Sequence, residues 1–79
     1  MFKHWNYRII RLAPVDGVGF VSYAIHEVHY DEQGNPSAVS ENPIRLVAES
    51  VEDLVADLKL MQEASSKPTL DYDSFSHHE

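Results

Sequence analysis

Glu27, His29 and Asp31 alternate through the stretch YAIHEVHYDEQGNP, residues 23–36, and two carboxylates with one imidazole are a ligand set suited to a divalent transition metal. His26 lies in the same stretch, so HEVHY comes within one residue of H-E-x-x-H. That motif works on a helix, where two histidines four apart share a face and the glutamate between them acts as general base. Here the second histidine arrives one residue early and residue 30 is Tyr. The β-branched and aromatic neighbours read as a strand, and alternation sends His26, Val28 and Tyr30 to one side and Glu27, His29 and Asp31 to the other. The two histidines then cannot chelate one ion together. Glu27, His29 and Asp31 remain as candidate metal ligands that a neighbouring strand would have to complete. His26, between Ala24 and Val28 on its side of the strand, is expected half-buried with a ring nitrogen bonded to a backbone group.

Other catalytic arrangements are missing from the sequence. There is no G-x-S-x-G, no phosphate-binding glycine loop, no G-x-G-x-x-G and no cysteine nucleophile. Adjacent acids such as Asp31–Glu32 and Glu52–Asp53 are accounted for by turn and helix-cap chemistry. Trp5 and Tyr7, on one face of the first strand, could stack single-stranded bases, but no basic groove accompanies them. They group instead with Tyr23, Tyr30 and Tyr72 as candidates for a protein interaction surface. The expectation is a non-catalytic chain with no cofactor.

The elements that would position these side chains are punctuated by turn residues. WNYRIIRL (5–12) reads as a strand. APVDGVG (13–19) supplies a reversal through Pro14, Asp16 and two glycines. FVSYAIHEVHY (20–30) is a second strand, and DEQGNP turns the chain with Gly34 available for a positive φ. SAVSENPIRLV (37–47) is a third strand, interrupted near Glu41–Pro43 because proline cannot donate to a ladder. Ser50 then caps a helix with Glu52 and Asp53 in its first turn. Val51, Leu54, Val55, Leu58 and Met61 follow the i, i+3, i+4, i+7 rule and are expected to form the stripe that covers the sheet. Pro68 ends the helical region. The expected fold is α+β: a three-stranded antiparallel β-meander followed by one α-helix packed on one face (β-β-β-α), with a short C-terminal strand around Leu70, Tyr72 and Phe75. Residues 1–68 form a single domain in this reading, and 69–79 an acidic tail, partly ordered or frayed at HHE.

Composition narrows the partners. Seventy-nine residues make one small domain with a thin core. The hydrophobic fraction of 43% suffices for a globular fold. The absence of cysteine excludes a disulfide framework and a thiolate metal site, and with no signal peptide or membrane span in the sequence the expected setting is cytoplasmic. Residues 1–30 carry Lys3, Arg8 and Arg11 against Asp16 and Glu27; eleven of the thirteen acids lie in the remaining residues, against Arg45, Lys59 and Lys67. A net charge of −7 opposes nucleic-acid binding, which depends on cations displacing counterions from phosphates, and suits a basic protein partner.

WNYRII, YAIHEVHYDEQGNP, the ENP before the helix and SVEDLVADLKLMQEASSKPTLDYD together resemble a family of short, functionally uncharacterised bacterial proteins over nearly the whole chain. That resemblance implies a bacterial cytoplasmic protein and carries over no catalytic residue. AESVEDLVADLKLMQEA, following a third strand, is more loosely similar to the capped, acid-rich helix start of HicB-type antitoxins. Their β-β-β-α core neutralises a basic toxin, and many add a C-terminal DNA-binding segment; the acidic residues after Pro68 do not match that segment.

Both faces of a three-stranded sheet would be partly apolar here: Trp5, Tyr7, Ile9, Val21, Tyr23 and Ile25 against Ile10, Leu12, Phe20, Ala24 and Val28. One helix covers one face, so the other is expected to expose an apolar patch that drives self-association or binds another protein. The leading reading is therefore a non-catalytic interaction or regulatory module with a basic protein partner or as a homodimer. A metal-binding protein or small metal-dependent enzyme using Glu27, His29 and Asp31, and a nucleic-acid-associated protein using the aromatic strand, are the alternatives.

Overall fold

A computed structural model describes residues 4–14 and 19–78. Three strands open the chain: β1 (Trp5–Leu12), β2 (Ser22–Tyr30) and β3 (Pro36–Val39). β1 and β2 pair antiparallel with Ile9 opposite Ile25 and Arg8 opposite His26, and β2 pairs antiparallel with β3. The reversal expected over 13–19 includes Asp16 and Gly17, which lie outside the described residues, as do Lys3 and Glu79. Phe20 and Val21 precede β2 and are exposed.

The β2–β3 turn is built by Asp31. Its Oδ1 accepts the backbone N–H of Gln33 at 3.0 Å and of Asn35 at 2.9 Å, and the N–H of Gly34 reaches the Asp31 carbonyl at 3.0 Å. Gly34 has φ +84°, the left-handed conformation that closes such a hairpin and that side chains with a Cβ resist. β3 is shorter than expected: at Ser40 the side-chain hydroxyl, not the backbone, accepts the Glu27 N–H at 3.2 Å, and the Ser40 carbonyl bonds the His26 ring at 2.9 Å. Past Val39 the chain stays beside β2 through two isolated bonds, Ser40 N–H to Glu27 and Ile44 N–H to Ile25, each 2.9 Å.

α1 (Val51–Glu63) begins where its cap predicts: the Ser50 hydroxyl accepts the Asp53 N–H at 3.1 Å. The helix continues as a 3-10 turn over Ala64–Ser66. It packs on the face of the sheet that carries Tyr7, Ile9 and Ile25, bounding grooves with those residues.

The tail completes the sheet. β4 (Leu70–Asp71) runs parallel to β1 and β5 (His77–His78) parallel to β3, giving a mixed sheet in the order β4-β1-β2-β3-β5. His77 and His78, expected to fray, are therefore strand residues. Between the two outer strands, residues 72–76 cross the face opposite α1. Four inter-strand gaps would separate the outer strands of a flat sheet by about 19 Å. The six steps from Asp71 to His77 reach about 20 Å only when fully extended. This segment includes a 3-10 turn at Tyr72–Ser74, so the sheet has to curl around it.

That crossing segment, not α1, closes the main core. Ile10, Val28, Val39 and Phe75 form the buried cluster, with Leu12, Tyr30, Leu70 and Tyr72 packed against it. The face expected to stay bare is thus covered. The stripe expected to be core is correspondingly exposed: of the helix residues only Met61 is buried, while Val51 is 76% exposed and Val55 and Leu58 are open to solvent as well. The reason is the helix's rotation. Its contact line runs through Asp57, Met61 and Ala64, half-buried or buried, about a third of a turn from the line Val51–Val55–Leu58.

Candidate interaction surface

The three candidate metal ligands take separate positions. Asp31 is consumed by the hairpin turn. Glu27 lies beside Tyr7 on the α1 face, and His29 two residues on pairs with Trp5 on one side and Ala38 on the other. Among the described residues no three His, Asp or Glu side chains gather in an arrangement that could hold a metal ion.

On the opposite face His26 is fully buried, more deeply than expected, and its Nδ1 donates to the Ser40 carbonyl at 2.9 Å. A carbonyl can only accept, so Nδ1 carries the proton; Nε2 is buried without a partner. Arg8, opposite His26, is also buried. Its guanidinium donates to the Tyr30 hydroxyl at 2.9 Å and to the Pro68 carbonyl at 2.6 Å, and Tyr30 passes its own proton to Asn6 Oδ1 at 2.7 Å. These bonds tie the helix exit to β1 and β2, a structural duty.

The aromatic candidates divide accordingly. Tyr30 is internal to that network. Tyr72 stacks on His78 at 4.2 Å between ring centres and lies 5.9 Å from the His26 ring, so it belongs to the crossing segment's own packing. Trp5 and Tyr7 meet edge to face at 5.2 Å and, with Leu60, Glu63 and Lys67, line a small cavity of about 100 Å³ under the helix. Tyr23 is 63% exposed.

Burial on the α1 face, reinforced by the nearby carboxylates of Asp57 and then Glu27, pushes the Tyr7 phenol above its ordinary value of 10.0. Burial disfavours the phenolate, and two negative charges disfavour it further.

A wider opening lies next to this group. Ile9 and Ile25 floor a groove of about 580 Å³, walled by Leu46 on one side and by Leu58, Met61, Gln62 and Ser65 on the other. Its volume is in the range of ligand pockets. Val51 and Val55 continue the helical stripe beyond Leu58, and Val47, 68% exposed, follows Leu46 in the chain. Exposed apolar side chains beside such a groove commonly mark a binding face. The residues that build it were visible as a periodic stripe, but periodicity does not distinguish a stripe buried in the chain's own core from one offered outward.

Comparison with protein-family models, curated proteins and solved structures found no match. Among the described residues no helix is long and apolar enough to cross a membrane.

Proposed function

We propose that this chain is a non-catalytic protein-interaction module of the cytoplasm that binds through the apolar groove between α1 and the sheet. One observation carries the reading: Val51, Val55 and Leu58 form a helical stripe beside Leu46 and Val47, and the fold leaves all five exposed. A small domain gains little by exposing five aliphatic side chains unless a partner covers them, since covering each contributes up to about 1.5–3 kcal/mol. No catalytic constellation competes for the site: of its own polar lining, Ser65 donates its hydroxyl to the Gln62 carbonyl at 2.7 Å, and Tyr7, Glu27 and Asp57 nearby add no nucleophile–base pair of the kind acyl or phosphoryl transfer needs.

The test is capture of host proteins by wild type and by Leu58→Asp, followed by reconstitution with the purified partner. The reading expects a protein that co-purifies with wild type, rebinds in isolation and is lost with Leu58→Asp. Equal capture by both, or no rebinding, would remove it.

A further inference from the structure

The groove's surroundings are predominantly acidic. Next to the Ile9–Ile25 pair on the same face stands the Tyr7–Glu27 pair, and Asp57, half-buried on α1, adjoins Leu58 of the groove wall in the chain. Neither carboxylate has a cation partner among the described residues, where the one ion pair is Arg11–Asp71 at 3.3 Å. Residues 41–63, which supply both walls, hold six acids against Arg45 and Lys59. An occupant that brings positive charge is attracted; a second copy, carrying another −7 and its own acids, is repelled.

The backbone narrows the occupant's form. β2, which floors the groove, is paired by β1 on one side and by β3 and Ile44 on the other. At the groove floor Ile25 is engaged on both sides, so an occupant there docks through side chains, as when a helix lies in a groove, while Ser22–Ala24, beyond the floor, have no ladder partner on the β3 side among the described residues. The wall from Val51 to Leu58 rises about 10 Å, matching two turns of such a helix.

Building on the interaction reading above, we propose that the groove receives the apolar face of a cationic amphipathic helix from another protein, with a lysine or arginine of that helix set between Glu27 and Asp57.

The probe is a synthetic helical peptide of about 15 residues, long enough to form a few turns, made of Leu and Lys with its leucines at i, i+3, i+4 and i+7. A matched peptide carries Glu in place of Lys. Binding is followed by amide shifts in the labelled protein and by sedimentation. The Lys peptide should bind saturably with shifts concentrated at Ile9, Ile25, Leu46 and Leu58. The double variant Glu27→Gln/Asp57→Asn should weaken it about tenfold at low salt and flatten its salt dependence. Leu58→Asp should abolish it with the circular dichroism unchanged, and Val55→Ser, at a position exposed to the same degree, repeats the test with a milder change.

Equal binding of the Glu peptide, or indifference of the Lys peptide to the double variant, overturns the cationic occupant while leaving the groove as an interaction surface. Shifts scattered over exposed acids elsewhere also overturn it. Self-association that Leu58→Asp abolishes, with no peptide bound, makes the occupant a second copy and refutes the proposal alone. No binding and no self-association refute the proposal and count against the interaction reading together.

Discussion

Tyr7 is the residue at which the fold's electrostatics can be read directly. Its phenol is pushed up first by burial and then by Asp57 and Glu27, so the folded chain holds this proton more tightly than the unfolded chain does. The sign follows from linkage: a folded-state pKa above the unfolded value means that Tyr7's contribution is fully present below the ordinary value of 10.0 and is lost as pH rises through the folded value. Stability should therefore fall more steeply above pH 10.0 in wild type than in Tyr7→Phe. Absorbance titration should show a phenol ionising above the ordinary 10.0 that is missing in Tyr7→Phe and is moved down, but not back to the ordinary value, by Glu27→Gln or Asp57→Asn, because burial is the larger cause. A late phenol that survives in Tyr7→Phe would assign the effect to the wrong side chain. Arg8 and His26, by contrast, sit on the other face with hydrogen bonds to Tyr30, Pro68 and Ser40 and hold the strands and the helix exit in register.

Among the elements, the crossing segment is the one whose importance the sequence conceals. Phe75 is 7% exposed within the cluster of Ile10, Val28 and Val39, and Phe→Ala in a core typically costs about 3–5 kcal/mol. For a domain of this size that is a large part of the total stability of roughly 4–12 kcal/mol. Phe75→Ala should lower the denaturation midpoint severely, and a chain ending at Pro68 should fail to fold cooperatively. A truncated chain with wild-type melting would show that the helix alone can cover the sheet. The strands β1 and β2 and the Ser50 cap were legible because eight or nine alternating residues and a hydroxyl three before an acid are strong local signals. Even the faces came out correctly, with Ile9 beside Ile25 and Ile10 beside Ala24. β4 and β5 were not legible in full, since a two-residue strand has no period to detect and its pairing is decided by what lies across the sheet. The helix was found but its rotation was not: Val51–Val55–Leu58 and Asp57–Met61–Ala64 are both plausible lines, and the pattern of the helix alone does not choose between them.

At the scale of the whole molecule, thirteen acids face six Lys and Arg, and among the described residues the fold compensates them with a single ion pair whose two side chains are 43% and 59% exposed. An exposed pair of that kind contributes at most about 1 kcal/mol. Folding therefore gathers a net −7 onto a body with a radius of gyration of 13.5 Å, where most charges lie within two or three screening lengths of one another, given a length of about 10 Å at 0.1 M salt. The unfolded chain spreads the same charges further apart, so self-repulsion acts against the native state. Added NaCl should then stabilise the protein. Screening that recovers about 1 kcal/mol would raise the melting temperature by about 4–8 °C in a domain of this length, with most of the rise complete by the point at which the screening length falls below the spacing between neighbouring acids. Calorimetry from low salt upward at pH 7 is the measurement. A melting temperature that stays level or drops would mean that the acids are held by favourable local partners in the native state, and it would remove the electrostatic ground for expecting a cationic partner in the groove.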